Sequence, residues 1–510
     1  MRVLFLHIVT FSLVNGTLIL PPVPPRGFNT FNNYYFGSLN TSSLTDLVRA
    51  LSSSPLSSAG FTTFFLDGGW SISTGVFPNG TAFTKQNLDA FGRPVPAPER
   101  YPGGLSGVAA VARSLGLGFG LWHIRGVHVD AVAAKLPVKG MPQFTLDQLV
   151  DDFPISGGKN GSCLWAPEWL GVNPLHPAAG AYYASVVEAL VEQGATAIKG
   201  DCFMCWPCYT GEMSLLSAAV KASPASILLY LSPGGGNTVT NGSWVAANQI
   251  ASFYRTITDF DAGNWYDWGV RFEASHPCAP KTSPPKKQTL TLHPLNPLPK
   301  QGLQQALFIA GNFSAAGLAG GENGTFADLD MMPLDASFWN TTQEKADRGQ
   351  TIASLWAMGR FPLFHAGVLP VDPKTVAFLT NAHALALNAN ANVPNVSYSG
   401  NCTCTGGVGS CTIPHRGPAP RDSCVAAWVA AVGGSWTGVM LTNMGERATS
   451  VPLGCALAGL DPRFSYGVHD IWTGDAVGTV NGSGTVPIPL RPHATALLRL
   501  TLLNKKLESI

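Results

Sequence analysis

From about residue 20 onward, short apolar runs alternate with amphipathic stretches. Ser42 to Ser53 carries Leu44, Leu47, Val48 and Leu51, a spacing that predicts a helix. Gly60-Phe61-Thr62-Thr63-Phe64-Phe65-Leu66-Asp67 then reads as a buried strand ending in a carboxylate. The alternation recurs. Leu105 to Leu115 is helix-like and Gly118 to His123 strand-like, Ala178 to Gln193 helix-like and Ala195 to Asp201 strand-like. Met213 to Ala222 and Ile227 to Ser232 repeat it, Ile250 to Asp259 holds another strand, and Leu303 to Ala310, Thr351 to Gly359 and Phe361 to Phe364 continue. Roughly eight such alternations predict an α/β fold of the (β/α)8 TIM-barrel type. From Val425 the pattern changes to short strands with turns and no helices between, for example Trp428 to Val432, Thr437 to Thr442 and Thr495 to Leu500. The expected division is therefore a barrel over 17–394 and a small antiparallel β domain over 395–502, joined by a Cys-rich linker. Pro277 to Pro299, poor in apolar residues, reads as a loop insertion.

Composition adds class and compartment. The chain of 510 residues is 45% hydrophobic and 12% charged with a net charge of +1, which fits a well-packed globular protein and excludes disorder. The near-zero charge gives no footing for nucleic acid or an acidic membrane surface. Met1 to Gly16 has Arg2, an apolar run from Val3 to Val14 and a small residue at its end, the layout of a secretory signal. No later stretch approaches the roughly 18 uninterrupted apolar residues of a membrane span. Ten cysteines and sequons at Asn40, Asn79, Asn160, Asn241, Asn312, Asn323, Asn340, Asn395, Asn401 and Asn481 agree with export. The expected location is secreted, or lysosomal or vacuolar by the same route.

The candidate chemistry sits where strands end. Lys199 and Asp201 are two apart in one strand, so both reach the same side. Strands ending at Asp67, Asp201 and Asp259, with Asp328 and Asp330 near a seventh, would bring carboxylates to one barrel mouth. Such a cluster either binds metal or shares protons. Lys199 and Arg255 already supply positive charge there, so no metal or other cofactor is expected, and a pair of carboxylates acting on a glycosidic bond fits better. Trp70, Trp122 and Trp206 near the same ends suit the apolar face of a sugar ring, although bulky Trp is often plain core. Cys202-X-X-Cys205-X-X-Cys208 has metal-like spacing without a fourth ligand nearby, and disulfides are the expected use in an exported chain. Cys402, Cys404, Cys411 and Cys424 are expected to pair among themselves.

Over nearly the whole mature length, the motifs in their order resemble glycoside hydrolase family 27, the α-galactosidases and their relatives. Gly27-Phe28-Asn29-Thr30-Phe31-Asn32 resembles the family's first strand, and Lys199-Gly200-Asp201-Cys202 its nucleophile strand. Arg255-Thr256-Ile257-Thr258-Asp259 resembles its acid/base strand, Asp328-Leu329-Asp330-Met331 its Asp-Pro-Asp-Met turn, and Thr380 to Asn388 the end of its barrel. The resemblance implies a C-terminal β-sandwich, Asp201 as nucleophile, Asp259 as acid/base, and Lys199, Arg255, Asp67 and Asp328 as substrate-binding groups. It also implies a disulfide between Cys163 and Cys202, a carbohydrate substrate, and room for a homodimer. The implied reaction is double displacement at a terminal α-galactosyl residue, or a stereochemical relative, with net retention.

Two departures bear on the sugar. Asp67-Gly68-Gly69-Trp70 has Gly68 where the family usually has a second Asp, which removes one acceptor for substrate hydroxyls. Leu121-Trp122-His123-Ile124-Arg125 lacks the usual Tyr-X-Asp, and His123 and Arg125 are expected to contact substrate, with a structural ion pair for Arg125 as the alternative. Two other readings share these residues: a carbohydrate-binding protein that has lost turnover, and a transglycosylase.

Overall fold

The computed structural model describes residues 17–504 apart from 35–37, 77–81, 151–160, 164, 205–208, 235–240, 261–302, 304–305, 308–309, 312–313, 315–323, 340, 391, 393 and 401–423. The expected signal, the 277–299 insertion, Trp206, and Cys205, Cys208, Cys402, Cys404 and Cys411 lie outside the described residues.

Eight strands run parallel in one ring: β1 (Arg26–Asn29), β2 (Thr63–Leu66), β3 (Gly118–Ile124), β4 (Ala197–Asp201), β5 (Leu228–Leu231), β6 (Phe253–Arg255), β7 (Phe326–Asp328) and β8 (Leu363–His365). Each from β1 to β6 pairs with the next, and β8 pairs with β1. The ring closes just beyond β7. There Met332 N donates to Phe364 O at 2.8 Å, and Ala366 N donates to Met332 O at 2.9 Å. This is the barrel that the alternating pattern predicted.

Helices α1 (Thr41–Ser53), α2 (Ser106–Ser114), α3 (Ala179–Glu192), α4 (Thr210–Ala222), α5 (Asn241–Ile250) and α6 (Gln343–Met358) cover the ring. The described residues between Leu303 and Ser314 are helical too. In α1, Leu44, Leu47, Val48 and Leu51 are the buried stripe, and the Asn40 side chain caps the first turn by accepting from Ser43 N at 3.0 Å.

Inside the ring the pleat alternates, so every second residue of each strand faces inward. Phe65, Ala197, Leu228, Tyr230, Phe253, Phe326 and Phe364 form this inner plug. Gly120 lies in register with both Phe65 and Ala197. A Cβ on Gly120 would collide with the Phe65 ring, so the glycine makes the space that the ring occupies.

The second domain has strands β9 (Asn395–Gly400), β10 (Cys424–Val432), β11 (Trp436–Asn443), β12 (Thr449–Gly454), β13 (Ser465–Asp470), β14 (Ala476–Asn481), β15 (Thr485–Leu490) and β16 (Thr495–Asn504). Six form an antiparallel sheet in the order β9-β10-β11-β16-β13-β14, while β12 pairs with β15. Val439, Leu441, Leu453, Val468, Val480, Ile488 and Leu500 fill the space between the layers.

The outer face of the sheet packs on the barrel. Trp428, Met440 and Leu497 join the helix-side core. The absence of a side chain at Gly438 admits Leu387, whose Cδ2 would lie 2.5 Å from a Cβ there. Polar contacts seal the joint. Thr351 Oγ1 lies 2.8 Å from Thr495 Oγ1, Trp472 Nε1 donates to Ser354 Oγ at 3.0 Å, and Arg491 grips Asp347 through Nε and Nη2 at 2.8 and 2.7 Å.

Candidate active site

All eight strands point their C-terminal ends to one mouth, the face on which barrels of this kind build sites. β4 delivers Lys199 and Asp201, both buried and both inward by the two-residue period. Asp67 follows β2 on the same side, and Lys199 Nζ lies 2.8 Å from Asp67 Oδ2. Asn29, at the end of β1, donates from Nδ2 to the same oxygen at 2.9 Å. The backbone fixes the carboxylate further, since Gly68 N donates to Oδ1 at 2.8 Å. Burial acts against the Lys199 charge, but Asp67 and Asp201 outweigh it and hold the ammonium above its ordinary pKa.

Asp201 is oriented at both oxygens. Cys202 N donates to Oδ1 at 3.0 Å, and the Trp122 indole Nε1 donates to Oδ2 at 3.0 Å. Cys202 adopts a φ of +61°, uncommon for a non-glycine residue. It is held there by the Cys163–Cys202 disulfide, which the resemblance implied and which is present. Cys424 is disulfide-bonded as well, to a residue outside the described set, while Cys455 is free and buried.

Arg255, at the end of β6, organises the opposite side. Its Nη2 lies 2.8 Å from Asp259 Oδ1 and its Nη1 lies 3.0 Å from Asp330 Oδ1. Nη2 also donates to Gly234 O at 2.6 Å and Nε to Ile257 O at 2.9 Å, so the guanidinium is fixed on several sides. Burial pushes Asp259 above the ordinary carboxylate range, and the negative charges of Asp330 and Asp201 push the same way against the pull of Arg255. A carboxyl so raised gives up its proton less readily than an ordinary one, while the neighbouring Asp201 accepts from two donors.

Asp330 was noted in the sequence only as half of an acidic pair, without a role. The structure makes it the anchor of Arg255. It has a φ of +79°, accepts from Phe260 N at Oδ2 (2.9 Å), and its carbonyl accepts from Trp356 Nε1 (3.1 Å). Asp330 sits in a left-handed turn, so the two-residue period of an extended chain does not reach it. Asp328, named for substrate, is fully buried and accepts from Tyr230 OH at 2.6 Å within the barrel. Burial pushes its carboxyl up to about 7.

Three expected substrate contacts take other positions. Trp70 is buried, and its indole donates to Trp122 O at 2.9 Å, so it supports the mouth from beneath. His123 and Arg125 face away from the mouth. Trp122 and Ile124 stand in register with Lys199 and Asp201, which sends the intervening His123 to the helix side, and Arg125 follows just after β3. There His123 is buried edge-on to Trp169, and burial lowers its pKa to about 4, so the ring is neutral. Arg125 is fully buried in an ion pair with Glu212 of α4, donates to Gly161 O at 2.6 Å and Cys202 O at 3.1 Å, and stacks on Tyr209. The structural reading of Arg125 therefore replaces the substrate contact. Trp122 remains half-buried at the mouth.

Comparison with known proteins agrees with this architecture. Residues 422–500 match the alpha galactosidase C-terminal beta sandwich domain. A probable alpha-galactosidase of Dictyostelium discoideum is 20% identical over 97% of this chain and 95% of its own length. Among solved structures, a GH27 β-L-arabinopyranosidase of Geobacillus stearothermophilus superposes with a TM-score of 0.71 at 20% identity, covering 96% of this chain and 98% of that one. An α-galactosidase of Saccharomyces cerevisiae gives 0.62 at 14% identity, with coverages of 94% and 98%. At these identities the structural likeness establishes the fold.

Proposed function

We propose that this chain, which stands with glycoside hydrolase family 27 in fold and motif order, is a retaining glycosidase acting on terminal α-galactosyl residues or a stereochemical relative. One observation carries the reading: Asp201, held at both oxygens by Cys202 N and the Trp122 indole, lies close enough to Asp259 for its charge to help raise that carboxyl, with Lys199 and Arg255 among the surrounding acids. In the first step an Asp201 oxygen attacks the anomeric carbon as Asp259 gives its proton to the departing oxygen. In the second, Asp259 takes a proton from water, whose oxygen displaces Asp201 from the sugar. Two displacements on one carbon return the starting configuration. Lys199, Asp67 and Asn29 form a polar wall suited to sugar hydroxyls, and Trp122 offers an aromatic surface.

Gly68 favours a substrate that lacks, or does not use, the hydroxyl contact of a second acid, which brings β-L-arabinopyranoside into the same group as α-galactoside. The Cys163–Cys202 bond supports an oxidising compartment and a secretory route. A panel of aryl α-galactoside, β-L-arabinopyranoside, α-N-acetylgalactosaminide and α-glucoside, assayed at pH 4 to 7 with Asp201→Asn alongside, tests the proposal. Turnover of one member that disappears in the variant, with a glycosyl group trapped on Asp201, supports it. Silence of the wild type on all four, with sugar binding retained, overturns it in favour of a binding protein.

A further inference from the structure

The donor on Asp201 Oδ2 comes from a residue that sequence reading assigned to the sugar. Trp122 and Asp201 lie on adjacent strands, offset by one inward position, since Trp122 is in register with Lys199 and Ile124 with Asp201. The indole therefore reaches diagonally along the mouth, and Nε1 stops 3.0 Å from Oδ2. Its backbone is pinned from behind, because the buried Trp70 donates to Trp122 O at 2.9 Å. An indole N–H can only donate. It does not exchange roles during turnover as a hydroxyl can, and it carries no charge of its own.

Resting on the proposed glycosidase reading, we infer that Trp122 is a positioning residue for the nucleophile: its N–H aims the Asp201 carboxylate by holding Oδ2, and makes it a better leaving group from the glycosyl-enzyme. The physical reason lies in what else faces Asp201. Lys199 on the same strand and Arg255 on β6 are positive, and Asp259 is a neighbouring acid. Lys199 is already bound by Asp67, and Arg255 is shared between Asp259 and Asp330. Among the described residues, the two hydrogen bonds to the Asp201 carboxylate both come from neutral donors, the Cys202 amide and the indole. Removing the indole donor leaves Oδ2 partly buried with a weaker environment for its charge, which raises its proton affinity.

The experiment compares wild type with Trp122→Phe, and with benzothienylalanine placed at 122, which keeps the shape of the bicycle and removes only the N–H. Asp201 is followed by carboxyl 13C NMR across pH, a readout that needs no substrate. The expected result is a rise of about one pH unit in the Asp201 titration in both variants, the size expected for one lost hydrogen bond to a charged group. On the active member of the aryl glycoside panel, the acid limb of kcat/KM moves up with it. kcat falls about tenfold or more on a dinitrophenyl glycoside, for which release from Asp201 limits turnover. An unchanged Asp201 titration in the benzothienylalanine protein overturns the inference, whatever the activity. Inactivity of the wild type on every aryl glycoside counts against the glycosidase reading alone, because the NMR comparison still reports on Trp122.

Discussion

Lys199 Nζ and Asp67 Oδ2 are 2.8 Å apart, with only 2% of either side chain exposed. The two charges are not equivalent in what they keep when the other is lost. Without Lys199, the Asp67 carboxylate retains the Asn29 amide and the Gly68 N–H as donors. Without Asp67, the ammonium is left buried beside aromatic rings of Phe31 and Tyr230, with Asp201 and the weaker Asp330 as the remaining acids that act on it. Asp67→Ala is expected to lose about 3–5 kcal/mol of stability, the range for orphaning a buried charge. Lys199→Met is expected to lose less. Denaturant unfolding of both variants beside wild type checks the order, and equal losses would contradict it.

The carboxyl of Asp328 predicts a pH dependence of stability. Its folded value, about 7, lies above the ordinary carboxylate range because it is buried. The folded chain therefore keeps this proton where the unfolded chain releases it. The contribution to stability is complete below about pH 4, declines as pH rises from there to about 7, and is flat beyond. Asp259, also raised, adds a fall of the same sign. Asp328→Asn is expected to flatten the profile, with the variant gaining on wild type between pH 4 and 7. Parallel thermal profiles for the two proteins across that range would refute it.

Arg125 and Glu212 form a buried pair that contacts the backbone of Cys202 rather than a sugar. Burial raises the Glu212 carboxyl, and Arg125 opposes that rise. Arg125→Met is expected to cost about 3–5 kcal/mol, as is Glu212→Leu, while the double variant costs less than the sum. A double-mutant cycle by urea unfolding provides the measurement. Additive losses would show that the pair is not coupled.

The pair also marks where sequence reading reached its limit. The barrel was legible because its apolar runs and helical stripes repeat, and Lys199 with Asp201 was legible because a strand has a period of two. The same period, applied to Trp122-His123-Ile124-Arg125, separates the odd residues from the even ones. What it does not supply is which parity faces the mouth. That was fixed by register against β4, and the partner of Arg125 is 87 residues away on another element. Asp330 escaped for a related reason. Its part depends on a left-handed turn and on Arg255, 75 positions earlier by residue number, and neither leaves a local pattern.

The Cys163–Cys202 bond closes a 39-residue separation next to the nucleophile. Cys163→Ser is expected to cost about 4 kcal/mol by the loop-entropy relation for a closure of this length. Because the bond also restrains a backbone at φ +61°, the variant should lose kcat out of proportion to KM. Calorimetry and kinetics of the same preparation test both, and a variant with wild-type kcat would limit the disulfide to stability.

The sandwich has its last strand in the middle. β16 runs between β11 and β13, and the same strand presents Thr495 to Thr351 of α6, the helix that leads into the closing strand of the barrel. A chain lacking β16 would therefore have its sheet split and the barrel's final helix without this neighbour. A truncation even a few residues into β16 would withhold one keystone from both domains at once, so its damage would spread to the barrel rather than stop at a missing appendage.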